Sequence, residues 1–366
     1  MNTLKKALCT MLCAAMVLSL AACSEEKPGA EAQQPSTPAE TTTEKPAETT
    51  EKTTEAAPMS AEEELEAMKK EPAYGRPIRY WMADGCTAGP VVADLLGYYE
   101  EAGFEAEGVK GTTYTEALGT ASTDVAVGHI ATMLVPSTNG VDLSFVGGAH
   151  IGCKSLYVLG DSDYKTTEDL KGTKISVPNG IGASDYNITA MLLEADGINP
   201  LSDVSLMQVE TSACVMGMQS GEISAALLSD TYAYNMVKDG TLRKVRSLLD
   251  DDFADKPCCV IAMNRTFVKE NPIIAKKITE CVQKAHAWMR ENPEEATQLL
   301  LDNNLNSGDF DMNVELNKTL QFGLEDNFTE AGLRYTVEKY IDLGIITATD
   351  SIDEVMEKAW TPTMSK

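Results

Sequence analysis

The sequence predicts an α/β protein of two lobes, joined by a hinge that the chain crosses twice and separated by a cleft. Three observations carry this. The chain has 366 residues, more than one compact core usually covers. From Ile78 onward, short apolar runs of strand length alternate with stretches of helical periodicity, the pattern of sheets covered on both faces. After two such series, one strand (CCVIAMN) returns and a helical tail follows, so the chain passes between the lobes twice. Lobe one is expected at 77–157 plus 262–366, and lobe two at 158–261.

The first series opens with the strand IRYWMA and the loop GCTAG. PVVADLLGYYEEA then places Val91, Val92, Leu95, Leu96 and Tyr99 on one stripe, with Pro90 at its start and Gly103 at its end, so it reads as one helix. FEAEGVK and DVAVG are strands, HIATMLVPSTNG is a helix stopped near Pro136 and Asn139-Gly140, and DLSFVGG is a fourth strand. The second series runs KSLYVLG, a helical turn at TTEDLKG, then TKISVP. SDYNITAMLLEAD is a helix closed by Gly197, and DVSLMQV, EISAALL and LRKVRSL are strands. The returning strand is followed by helices at PIIAKKITECVQKAHAWMREN, at PEEATQLLLD and beyond Asp311. This alternation implies mostly parallel sheets.

Apolar residues make up 43% and charged ones 23%, ordinary globular chemistry. The formal net charge of −26 argues against nucleic acid as a partner, because phosphate binding needs a basic face. The chain begins with Lys5 and Lys6, an apolar run from Ala7 to Leu20, and Leu20-Ala21-Ala22-Cys23. The run is too short for a spanning helix and reads as an export signal over 1–23. A Cys directly after Leu-Ala-Ala resembles a bacterial lipobox. That resemblance implies lipidation of Cys23 and attachment to the extracytoplasmic face of the cell membrane by acyl chains. Residues 24–76, rich in Thr, Glu and Pro, are expected as a disordered tether, with a short unpacked helix near 59–71. A flexible segment of about 50 residues spans roughly 40 Å root-mean-square.

Six cysteines remain in the body: Cys86, Cys153, Cys214, Cys258, Cys259 and Cys281. Their spacing shows no disulfide framework, and buried free thiols are expected. Adjacent Cys258 and Cys259 in a strand should point to opposite faces.

DLKGTKISVPNGIGASDYNITAMLLEADGI resembles the signature of the solute-binding proteins of ABC importers, of the nitrate/sulfonate/taurine type. DVAVGHIA, MGMQSGEISAALLSDTYAYNMVKDG and VIAMNRTFVKENPIIAKKITECVQKAHAWMRENPEEA resemble it too, in the same order over roughly 78–305. The resemblance implies a periplasmic-binding-protein fold of the second type. It implies a small-molecule solute as ligand, with a membrane permease and its ATPase as partners. A monomer without cofactor is expected. No GxSxG, HExxH, Walker A or EF-hand pattern appears, and no enzymatic activity is expected. The alternatives are a same-fold enzyme of the thiamine-pyrimidine synthesis type and a surface lipoprotein that senses a ligand.

Ligands of open α/β sheets bind outside the carboxyl ends of the strands. Those ends nominate Cys86, Thr87, Thr113, Tyr114, His129 and His150 in lobe one, and Thr211, Asp230 and Thr231 in lobe two. The turn NGIGASDY adds Gly180, Gly182, Ser184 and Tyr186: its glycines let backbone N–H groups approach a ligand, and the following helix presents a partly positive end. Against this, Ser184 or Asp185 is placed to cap the helix itself, and Asp185 would repel an anion. Arginine is missing from these loops, and Lys110 and Lys154 are the nearest cations, so a neutral or zwitterionic ligand fits as well as an anionic one. His129 and His150 with Cys86 and Cys153 suggest a metal, but no CxxC or HxxxH pair supports one, and none is expected. His286 reads as packing or surface.

Overall fold

The computed structural model describes residues 59–364. The signal segment, Cys23 and the first 35 or so residues of the tether lie outside them. Helix α1 (Ala61–Met68) leads to strand β1 (Ile78–Trp81), then α2 (Gly89–Leu95), α3 (Tyr98–Glu101), β2 (Ala106–Val109), α4 (Tyr114–Gly119), β3 (Val125–His129), α5 (Ile130–Thr138) and β4 (Leu143–His150). The second series is β5 (Lys154–Leu159), β6 (Lys174–Ser176), α6 (Ser184–Ala195), β7 (Ser205–Met207), α7 (Cys214–Gln219), β8 (Ala225–Ser229), α8 (Asp230–Lys238) and β9 (Leu242–Ser247). It closes with β10 (Cys259–Asn264), α9 (Arg265–Glu270), α10 (Pro272–Glu291), α11 (Pro293–Asp302), α12 (Phe310–Thr319), α13 (Asp326–Asp342) and α14 (Ile352–Ala359).

The strands form two five-stranded sheets, ordered β2-β1-β3-β10-β4 and β7-β6-β8-β5-β9. β1 pairs parallel with β2 and β3, and β6 with β7 and β8. β10 runs antiparallel to β3 and β4, and β5 antiparallel to β8 and β9. The antiparallel strand of each sheet is thus the one that arrives from the other lobe. It enters at the cleft end, where the parallel strands finish, and so must run away from the cleft. This is the two-lobed fold that the alternation predicts, with each sheet mixed. The passages lie between His150 and Lys154 and between Ser247 and Cys259. The sequence boundaries at 157/158 and 261/262 fall inside β5 and β10.

β4 and β10 are buried along their whole length, and burying each large apolar side chain contributes about 1.5–3 kcal/mol. The open edge of β4 is covered by the tail: the Thr361 N–H donates to the Phe145 carbonyl at 2.8 Å. The stretch 90–102 is two helices rather than one. Gly97, at φ 74°, turns the chain between α2 and α3, a conformation open to glycine.

Order begins before residue 76, where the sequence suggests tether. Ser60 and Glu63 form a capping box at α1. Met68 is buried, and the Glu71 carboxylate accepts the N–H groups of Ile273 and Ile274 at the start of α10, at 2.7 and 2.9 Å. The composition of this stretch is polar, but several anchors hold it against the ordering entropy: buried Met68 and Ala73, the Ala73 N–H on Asn271, the Glu71 cap of α10, and ion pairs of Glu64 with Lys277 and of Arg76 with Asp124.

The lobes touch on the α6 side of the hinge. Asn187 Nδ2 donates to the Ala131 carbonyl at 2.8 Å, and Lys339 pairs with Glu194 at 3.1 Å.

Candidate functional site

The carboxyl ends of β1, β3 and β8 converge where β5 and β10 begin. A cavity of about 440 Å³ opens there. Lobe one lines it with Asp84, Gly85, Cys86 and Thr87 after β1, Tyr114 on α4, Gly128 and His129 on β3, and Asn304, Asn306 and Ser307 after α11. Lobe two contributes Ser229 and Thr231. A hollow of about 320 Å³ shares Asp84, Thr87, Tyr114 and Asn304 and adds Lys110. A narrow crevice between the lobes reaches Cys86, Cys153, Asp230 and Thr231. A larger hollow, about 660 Å³, is lined by Met59 and residues of α1, α9, α10 and the tail. It lies at the far end of β10, away from the strand ends where the two lobes meet.

Local structure explains each position. Gly85 adopts φ 53°, and its N–H donates to the Leu305 carbonyl at 2.7 Å, tying the β1 loop to the loop after α11. Thr87 Oγ1 donates to the Asp84 carbonyl at 2.9 Å, closing that turn. The phenol end of Tyr114 packs against Gly128, where an added Cβ would stand 2.6 Å from the ring. A side chain at 128 would therefore displace the tyrosine, and burial pushes the Tyr114 phenol up to about 12. His129 stands at the N-cap of α5, whose first N–H donates to the Cys258 carbonyl. Ser229 caps α8 by accepting the Tyr232 N–H at 3.2 Å.

No Lys or Arg is among the residues lining the 440 Å³ cavity. Its donors and acceptors are hydroxyls, side-chain amides, the His129 ring, backbone and the Asp84 carboxylate. Such a lining offers hydrogen-bonding groups from several sides and no lysine or arginine charge.

Of the positions the sequence nominates, Cys86, Thr87, Tyr114, His129 and Thr231 come together around this cavity. Asp230 faces the adjoining crevice. Its carboxylate accepts from the Tyr157 hydroxyl at 2.5 Å and lies 3.5 Å from Lys244, while its N–H donates to the Cys153 carbonyl. Thr113 is exposed and caps α4, accepting the Glu116 N–H. His150 is fully buried, with Nδ1 2.9 Å from the Ile151 carbonyl oxygen and its ring edge-on to Phe322. Thr211 opens a single 3-10 turn, and Tyr186 lies half-buried in the first turn of α6.

The NGIGASDY turn has the left-handed glycines its sequence suggests, with φ 93° at Gly180 and 80° at Gly182. Asp185 occupies the space ahead of the helix. Its buried carboxylate accepts the Asn179 N–H at 3.0 Å and the Ser184 hydroxyl at 3.4 Å, and it forms an ion pair with Lys154. Lys154, one of two candidate cations, is thereby neutralised.

Asp84, Asn304, Asn306 and Ser307 are cavity residues that strand-end reasoning passes over. Asn304 sits at φ 55°, a conformation asparagine tolerates. The run NNLNSGD is legible as a turn between helices, but only the fold sets it against β1.

The cysteines hold the larger surprise. All six are free thiols. Cys258 and Cys259 do not point apart, since both sulfurs reach the same ring nitrogen of His129. Cys258 precedes the β10 ladder, and the register against β4 shifts between Cys259 and Val260, which re-aims the side chains. Hydrogen bonds from Cys153 and Cys259 pull the Cys258 thiol down to about 6. Burial with the neighbouring thiols holds Cys259 well above the usual range. The spacing argument against a metal set fails in three dimensions, because ligands from three segments meet. His286 is fully buried and stacked on Phe322, and desolvation drops it to about 3, so its ring is neutral.

The profile of a family described as NMT1/THI5 like matches residues 86–296. The chain belongs to this family. A Brucella abortus (strain 2308) protein named as a binding protein is 25% identical over 224 residues, 58% of this chain and 66% of its own length, so the match spans just under two thirds of that relative. The crystal structure of the periplasmic aliphatic sulphonate binding protein SsuA from Escherichia coli superposes with a TM-score of 0.64 at 18% identity, over 80% of this chain and 94% of that one. The periplasmic nitrate-binding protein NrtA from Synechocystis gives 0.58 at 16% identity, over 78% and 85%. At such identities these structures establish the periplasmic-binding-protein fold for this member of the family.

Proposed function

We propose that this chain is the lipid-anchored, extracytoplasmic solute-binding component of an ABC importer, delivering a small polar solute to a permease and its ATPase. The observation that carries the reading is the cavity of about 440 Å³ where Ser229 and Thr231 of lobe two face the β1 loop, Tyr114 and His129 of lobe one. A solute there touches both lobes only when they are together, so its binding energy favours closure. Binding and closure suffice for delivery, and no bond need be broken. Similarity to proteins named for sulfonate and nitrate supports a solute of the sulfonate or nitrate type, and the sequence resemblance keeps a pyrimidine-like one in the class. Within it, the lining of hydroxyls and amides favours a neutral or zwitterionic molecule over a bare anion. An export signal ending in Leu-Ala-Ala-Cys23 supports the anchor, and a tether then raises the local concentration near the permease.

Isothermal titration calorimetry of the purified chain against sulfonates, nitrate, pyrimidines and small zwitterions tests the reading. One of these should bind at one site per chain, with affinity lost in Thr231→Ala and Tyr114→Ala. A panel without any saturable binder overturns the solute assignment. Release of the chain into the medium on Cys23→Ser tests the anchor separately.

A further inference from the structure

Four metal-ligating side chains meet at the hinge, at the inner edge of the cavity. His129 Nδ1 lies 3.4 Å from Cys258 Sγ, 3.5 Å from Cys259 Sγ and 4.0 Å from Cys153 Sγ. The sulfurs of Cys153 and Cys258 are 3.5 Å apart, and all four ligand atoms lie within 4.8 Å of one another. Zinc takes thiolate sulfur at about 2.3 Å and imidazole nitrogen at about 2.0 Å, so the edges of its tetrahedron are about 3.8 Å between sulfurs and about 3.5 Å from sulfur to nitrogen. Three of these distances fall within about 0.3 Å of such an edge and the fourth within about 0.5 Å, so side-chain adjustment alone brings the set onto one ion.

The four side chains come from three segments that meet at the crossing. His129 ends β3. Cys153 lies in the passage from β4 to β5, at φ 88°, a left-handed conformation rare for a residue with a side chain. Cys258 and Cys259 stand where the chain returns into β10. Cys258 and Cys259 are buried, and Cys153 is partly so. Three thiols beside one imidazole make weak hydrogen-bond partners for one another, yet together they are a complete donor set for a borderline-soft cation.

We propose that His129, Cys153, Cys258 and Cys259 bind one Zn²⁺-class cation in a closed, four-coordinate Cys₃His site. Four protein ligands leave no open position, which is the arrangement of a structural rather than a catalytic metal. The cation cross-links both passages between the lobes to the end of β3. It fixes the pivot about which the lobes move, independently of which solute the cavity takes.

The test uses the full chain, reduced and stripped of metal under anaerobic conditions, then titrated with Co²⁺. One equivalent should give thiolate-to-cobalt charge-transfer absorption and the intense d–d bands of a tetrahedral site, and Zn²⁺ should displace it. In competition with a chromophoric chelator, Cys258→Ser and His129→Ala should weaken Zn²⁺ binding by more than about 100-fold, above what loss of an outer-shell partner costs. Cys281→Ser, on α10 outside the cluster, should bind as the parent does. The weak spectrum of octahedral Co²⁺ in the unsubstituted chain overturns the proposal whether or not the variants fold. So does a Cys153–Cys258 disulfide found by non-reducing peptide mapping of the chain as isolated. Because the readout is the metal's spectrum, a failed solute panel leaves it intact.

Discussion

The turn before α6 and the junction before α5 both bring a helix N-terminus to the carboxyl ends of parallel strands, and they differ in what stands ahead of it. Before α6, two left-handed glycines shape a cradle, and Asp185 fills it, accepting from Asn179 and Ser184 and pairing with Lys154. Before α5, His129 makes no side-chain cap, and its ring faces the cavity and the thiols. The glycine-rich turn looks more like a ligand site in sequence, yet it is the plainer VGHI junction that borders the polar cavity of about 440 Å³. A helix end attracts a ligand through its N–H groups and through the charge around them; Asp185 accepts from the turn's Asn179 N–H rather than from the helix, and it opposes an anion by its own buried negative charge.

This comparison can be broken most forcefully at Asp185. Asp185→Asn should leave Lys154, 12% exposed at its side chain, facing no counter-charge. The expected loss is about 3–5 kcal/mol, read as a lower urea midpoint, with much of it recovered when Lys154→Met is added. An unchanged midpoint would mean the plug is not held in solution, and the turn would return as a rival site. Gly128→Ala is expected to cost about 1–3 kcal/mol, because the new methyl meets the Tyr114 ring at 2.6 Å. It should also weaken solute binding, since Tyr114 must leave its place on the cavity wall. Thermal unfolding and calorimetry on one preparation separate the two effects. Thr113→Ala should cost about 1 kcal/mol through the lost cap of α4, with the solute dissociation constant unchanged. A shift in that constant would put the Thr113 hydroxyl on the solute and widen the site beyond the cavity described.

Much of the fold can be read in the chain because periodicity is local. The apolar runs of β3, β4 and β10 and the stripe of α10 stand out without knowledge of their neighbours. The split at Gly97 was less legible, since a helical stripe continues across it. The packing of α1 was missed because one buried methionine and one capping glutamate are invisible in a run of acidic residues. In the site, strand-end reasoning reaches Cys86, Thr87, Tyr114, His129 and Thr231. It does not reach Asn304, Asn306 or Ser307, which lie more than 170 residues along the chain from His129.

By itself the sequence determined the α/β class, the double crossing and the strand ends that carry polar groups, because each depends on neighbours a few positions apart. Only the tertiary structure decided that β5 and β10 run against their sheets, that Asp185 closes its own turn, and that Cys153, Cys258 and Cys259 gather on His129. Those outcomes rest on contacts between separate segments, some more than a hundred residues apart, such as Cys259 on His129, which no local pattern encodes. They are fixed when buried polar groups must find partners inside a closed core.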